Sequence, residues 1–283
     1  MKNRFYSIFL PVLLFLTIGT SSLCDDITII AINKETVEKL GPFPFTRDKY
    51  ADIIEALYDS YRPKCVFLNL LIAQYKKDES KTDKLLVDAV RGKPNLFFSG
   101  MVSDIVAEHG SYENSQFDIT DYRRIYDAGG AVFPLQEIVQ NGAYMSISDL
   151  GINKDGIAEA MPTVVQIDGN NYLSTPLFLT AVYLGADPGD ILIKNSLRYG
   201  KNKIKPDSSG WFMIDFEHTF EEYSYHDVVN GTAPQASING RIILIGIINP
   251  GLEPYIPVGS VRAVAGVEVI ANATQTLIDE LRD

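Results

Sequence analysis

Apolar, β-branched runs separated by amphipathic helical stretches constrain this chain more than any other feature. Ile27–Ile32 (ITIIAI) is apolar almost throughout, Cys65–Ile72 is nearly so, and Asn95–Ser99 is centred on Leu96-Phe97-Phe98. Strands that are apolar on both faces, instead of alternating, belong in a sheet covered on both sides. Between the first two runs, Asp48–Ser60 places Ile53, Ile54, Leu57 and Tyr58 at helical spacing behind Asp48 as a cap, and Pro63 ends it. Asp83–Arg91 reads as a second helix. Strand–helix–strand–helix–strand predicts a parallel sheet with covering helices, hence an α/β fold: a single three-layer domain on a mostly parallel sheet.

The pattern weakens from Gly100 to Asn141, which is expected to be a loop-rich insertion with a short helix around Phe133–Gln140. Ala143–Ser148 is a strand. Met161–Ile167 and Tyr172–Ser174 flank Asp168-Gly169-Asn170-Asn171, a hairpin turn. Pro176–Leu184 is a helix, Asp190–Ile193 begins a strand, and Trp211–Phe216 and Arg241–Ile248 are further strands. Glu268–Arg282 closes the chain as a helix with Val269, Ile270, Ala273, Leu277 and Leu281 on its apolar face. No repeat or composition break divides the chain.

Thirty-six acids against 25 bases leave a formal charge of −11, which excludes nucleic acid as a partner and disfavours an anionic membrane surface. Residues 1–24 read as a targeting segment. Lys2 and Arg4 precede the apolar run Phe5–Leu16, and the small, polar Thr17–Cys24 follows, with cleavage expected before Asp25 to leave residues 25–283 as the mature domain. Uncut, the same segment is a membrane anchor. Cys24 as a lipidated N-terminus is the third option, although Leu23 fits a lipobox poorly. Each option places the domain outside the cytoplasm, in the periplasm or envelope. Cys24 and Cys65 are the two cysteines, and Cys65 sits in an apolar run as a small hydrophobe, so neither a disulfide framework nor a cysteine metal site is expected.

Several segments, in shared order along most of the chain, resemble the CHASE2 family, an extracytoplasmic input module of bacterial nucleotide cyclases and kinases. They are Leu40-Gly41-Pro42-Phe43-Pro44-Phe45-Thr46-Arg47, the strand Val66–Leu71, Asp83-Lys84-Leu85-Leu86, Asp155-Gly156-Ile157, Tyr172–Thr180, Ile214-Asp215-Phe216, Tyr223–Val228, and the closing stretch Gly240–Leu277 with its Ala265-Gly266-Val267-Glu268. The resemblance implies a bacterial sensor that binds a small molecule or peptide and acts through a membrane-bound signalling protein or as a homodimer. It also implies no catalysis and no cofactor. The chain departs from the family in carrying Asn33 and Asn69 where aspartates tend to end the first two strands, and Ala160 where an arginine is common. With no cyclase or kinase in the sequence, it is expected to be a free-standing partner or a piece of a longer receptor.

Six residues are candidates for the ligand site. Pro42 and Pro44 stiffen the loop that delivers Arg47 to a helix start, where a guanidinium beside amide donors suits a carboxylate or phosphate; pairing with Asp48 or Asp83 is the competing role. Asn33 and Asn69 end strands whose carboxyl ends face the ligand crevice of an open α/β sheet. Gly246, Asn249 and Gly251 follow the strand Arg241–Ile248, where glycine permits close backbone approach by a ligand; a turn made by Pro250-Gly251 is the plainer role. His109, His218 and His226 lack metal-ligand spacing, and neither GxSxG nor a phosphate loop occurs. Two other functions stay open: an extracytoplasmic hydrolase acting on an envelope component, which needs two convergent carboxylates or a metal, and a structural envelope protein.

Overall fold

The computed structural model describes residues 23–74, 80–104, 112–119, 121–259 and 262–282. Six parallel strands make the central sheet: β1 (Leu23–Ile32), β2 (Cys65–Leu68), β3 (Leu96–Val102), β4 (Tyr144–Ile147), β5 (Thr219–Ser224) and β6 (Ile242–Ile247). Their spatial order is β5-β1-β6-β2-β3-β4, and the two-residue strand Ala131–Val132 adds antiparallel to the end of β3. The helices that position the crevice are α1 (Lys34–Leu40), α2 (Arg47–Ser60), α3 (Ser80–Val90), α4 (Thr175–Leu184), α5 (Tyr225–Val229) and α6 (Gly266–Leu281).

Side-chain alternation along the strands separates two cores. Ile27 and Ile29 of β1, Phe67 and Leu244 face α4 and α6, whereas Ile30, Ile32, Leu68 and Ile245 face α2, α3 and α5. Both faces of the sheet are thus covered, which explains why β6 and, from Ile27 on, all of β1 except Thr28 are apolar. Cys65 is buried in the first of these cores, and burial pushes its thiol well above the ordinary value, as suits a small hydrophobe.

Several boundaries differ from expectation. The second strand stops at Leu68, because Asn69–Gln74 leaves the sheet as a loop whose Leu70 and Ile72 stay buried. Thr46, not Asp48, occupies the position before α2, while Asp48 sits in the first turn with Lys49 at 2.8 Å. The expected strand at Asp190–Ile193 is a short helix, Pro188–Ile191, capped by Asp187, followed by the two-residue strand Leu192–Ile193. The hairpin turn is tighter than drawn: Asp168 and Gly169, with φ of +50° and +77°, join Val164–Ile167 to Asn170–Leu173. The insertion does hold the expected short helix, at Gln136–Gln140. Its described residues build a third core in which Phe133 packs between Tyr112 and Tyr172, with ring centroids 4.8 and 5.6 Å away.

Helix α6 is buried nearly all round, polar residues included, since Asn272, Thr274 and Thr276 bond back to carbonyls one turn earlier. Its far end is clasped to the start of β1. Asp26 accepts hydrogen bonds from Tyr183, from Gln275 at 3.0 Å and from Arg282 at 2.8 Å. Burial alone would raise the Asp26 carboxyl, but these partners outweigh it and hold it below its ordinary 3.8. A carboxyl lowered by folding stabilises the fold above the unfolded pKa, and that contribution disappears as pH falls through the folded one. Asp26→Ala is therefore expected to lower the melting temperature by about 3–6 °C at pH 7, from hydrogen bonds worth roughly 1.5–2 kcal/mol. Melts across pH should show the gap to wild type closing below about pH 4.

Candidate functional site

The strands β1 and β2 lead into helices on one face of the sheet, whereas β6 leads into α6 on the other. Since β6 and β2 are neighbours, their following loops part at the carboxyl ends of the strands. That is the topological switch point where open α/β sheets hold ligands. Asn69 stands at the end of β2, with its N–H bonded to the Ile245 carbonyl at 2.8 Å. After β6, Asn249 organises a turn: its side-chain oxygen accepts from the Gly251 N–H at 3.0 Å, and its carbonyl from those of Leu252 and Glu253. The turn brings Glu253 over the amino end of α6. A Cβ at Gly266 would lie 2.8 Å from Glu253 Oε1 and 3.7 Å from Asn69 Nδ2, so the absence of a side chain there makes room for the carboxylate.

The crevice has two lobes. The first, of about 310 Å³, lies among Asn69, Ser99, Asp149, Glu253 and Ile270. The second, of about 290 Å³, is bounded by Pro44, Arg47, Leu71, Ile247 and Glu253. Asn69, Ser99, Met101 and Glu253 belong to both, so the proline-stiffened arginine turn and the turn after β6 border one hollow. A third hollow, of about 380 Å³, lies against the other half of α6 between Lys203, Trp211 and Glu280. It is larger, but it lies away from the strand carboxyl ends and its charges are mixed.

Behind the first lobe runs a chain of hydroxyls. Ser99 donates to Ser148 at 3.0 Å, Ser148 is 2.9 Å from Thr175, and Thr175 is 2.9 Å from Ser146. Asp149 accepts from the Val102 N–H, yet burial pushes its carboxyl above the usual carboxylate range. Burial alone does the same to Glu253. Two half-buried carboxyl groups thus stand on the wall of one hollow.

The crevice gathers two of the six residues singled out in the sequence, Asn69 and Arg47. Arg47 is 7% exposed, its Nε lies 3.5 Å from Asp83 Oδ1, and Nη2 donates to the Gln74 carbonyl. Asn33 sits before α1, where its side chain accepts from the Thr36 N–H at 3.0 Å, the work of a helix cap. Gly246 is buried in β6, and what approaches it closely is Val267 of α6. Asn249 and Gly251 shape the turn and do not line either lobe. Asp149, Glu253, Ser99 and Gly266 carry the crevice but were not singled out. The one available signal was position, since Asp149 directly follows an expected strand and Glu253 lies in the loop after another. His226, one of the three histidines without metal-ligand spacing, is at the start of α5, and burial lowers its imidazole.

The chain is thus a three-layer α/β domain on a mostly parallel sheet, with a crevice at its switch point. Residues 2–283 match the model of the CHASE2 domain, and the chain belongs to that family of extracytoplasmic sensory domains. No curated protein and no solved structure matches it. Among the described residues no helix is long and apolar enough to cross a membrane, and no group of three or more His, Cys, Asp or Glu could hold a metal. The targeting segment expected at residues 1–24 falls outside the described residues as far as residue 22.

Proposed function

We propose that the domain is a non-catalytic sensor that binds a small ligand in the strand-end crevice and passes occupancy on through α6. One observation carries this reading: α6 begins in the crevice wall with Gly266, Val269 and Ile270 and ends in the Asp26–Arg282 clasp beside the start of β1. A 16-residue helix is about 24 Å long. A shift of its first turn therefore reaches the opposite pole, where we place the contact with a membrane-bound signalling protein or a second copy of the chain.

The presence of Asp149 and Glu253 on the wall of one lobe favours a second reading, hydrolysis of an envelope component by two carboxyl groups. Both readings are tested by thermal shift and hydrogen exchange against amines, carboxylates, sugars and short peptides. The sensor reading expects one class to raise the melting temperature and slow exchange in the first turns of α6. No response from any class overturns it, and a compound consumed instead of bound replaces it with the hydrolase.

A further inference from the structure

Deepening the sensor reading, on which it rests, we propose that the first lobe of the crevice takes a small organic ammonium ligand. Its protonated nitrogen would be held by Asp149, Glu253 and Ser99, and its apolar stem would lie against Ile152, Ile256 and Ile270. The argument begins with what the wall offers. Among the described residues no lysine, arginine or histidine lines this lobe, whereas two carboxyl groups do. Ser99 spends its hydroxyl proton on Ser148, so toward the lobe it presents lone pairs and accepts. Asn69 can donate through its amide, but Asp149, Glu253 and Ser99 all accept. A ligand that brings donors is matched there, and bringing positive charge as well relieves two carboxylates that burial already disfavours.

Other ligand classes fit less well. An anion would meet like charge. The amino end of α6 would ordinarily attract one, but carboxylates already occupy it: Glu268 accepts from the Ala265 N–H at 2.7 Å, and Glu253 lies against Gly266. A hydrated metal ion would need more oxygen ligands than two carboxylates and would gain nothing from the aliphatic side of the lobe. Among the described residues a sugar would face no aromatic ring, since beyond the two carboxyl groups, Ser99, Asn69 and Ser148 the rest of the wall is Met101, Gly266 and aliphatic side chains. An amine with a short hydrocarbon stem uses both halves of the lobe at once. The volume, about 310 Å³, is at the small end for ligand sites.

The test uses the full chain with butylamine and hexylamine, the matched alcohols and carboxylates, and magnesium and calcium chloride, read by thermal shift and calorimetry. The amines should raise the melting temperature with concentration, hexylamine more than butylamine, while alcohols and carboxylates of the same length do not. Glu253→Gln and Asp149→Asn should each weaken amine binding roughly ten- to a hundredfold, the loss of one charged hydrogen bond. The asparagine keeps an acceptor for the Val102 N–H, so folding is retained, and the exposed Asp59→Asn serves as the unaffected control. Equal binding of the alcohols, amine binding untouched by both variants, or no amine binding overturns the assignment. Response to a divalent cation that the same variants abolish replaces it with a metal site. Binding of a carboxylate or sugar from the wider panel, with the amines silent, sinks the ammonium assignment and leaves the sensor reading standing.

Discussion

Gly246→Ala should unfold this domain more readily than almost any other single-methyl change, lowering stability by about 2–3 kcal/mol and the melting temperature by about 5–10 °C. The glycine lies in β6, buried and paired with Ala31 of β1, and its backbone is ordinary extended strand. A Cβ there would sit 2.5 Å from Val267 Cβ and 2.7 Å from Val267 Cγ2. Real Cβ atoms do not approach so closely, and neither partner can swing away, since one is on a central strand and the other in the first turn of α6. The helix must lift from the sheet. The remedy follows from the cause: Val267→Ala in the same chain removes both Cγ atoms and should restore part of the loss, so the two changes couple by at least about 1 kcal/mol. A glycine kept for a ligand behaves oppositely, with alanine leaving the melt unchanged and weakening only binding. Denaturant and thermal melts of both single variants and the double variant separate the two roles.

That result bears on how far the sequence could be read. Gly246 was legible as a site of close approach, but a sequence does not say whether the approaching atoms belong to a ligand or to Val267. The central strands were legible because a strand covered on both sides must be apolar on both faces, as Ile27–Ile32 and Ile242–Ile247 are. By the same logic β5 was missed. Among the described residues Thr219–Ser224 pairs only with β1, at the edge of the sheet, and its Glu221 and Glu222 give it the composition of a solvent-facing run. Edge strands are where charge belongs in a sheet, so the signal that hid β5 is part of what protects it from pairing with other chains. Asn69 and the arginine turn entered the candidate site because strand ends and proline-stiffened loops announce themselves locally. Asp149 and Glu253 did not, because nothing local to either one encodes their place on one wall. It arises from the placement of β4 and β6 on opposite sides of β2 and β3, and from the Asn249 turn that folds Glu253 back.

Removing either partner of the Arg47–Asp83 pair should cost about 3–5 kcal/mol, the largest effect expected of any charged residue here. The side chains are 9% and 3% exposed and 3.5 Å apart, and the guanidinium also lies 6.0 Å from the centre of the Tyr50 ring. Arg47→Ala or Asp83→Ala leaves an ion out of water without its counter-charge, and that penalty exceeds anything the intact pair contributes. The melting temperature should fall by about 10 °C for either change. Replacing both at once with apolar residues of similar volume, Arg47→Met with Asp83→Leu, removes both charges and should recover most of the loss. A second consequence reaches the crevice. Arg47 also holds the Gln74 carbonyl, tying down the loop after β2 whose Leu70, Leu71 and Ile72 wall the second lobe. The double variant, although folded, should therefore lose the ordering of that loop, and hydrogen exchange between Leu70 and Gln74 should quicken while α3 stays protected. If Arg47→Ala instead melts within about 1 °C of wild type and loses only affinity for a carboxylate or phosphate, the guanidinium is reserved for a ligand and the pairing with Asp83 is incidental.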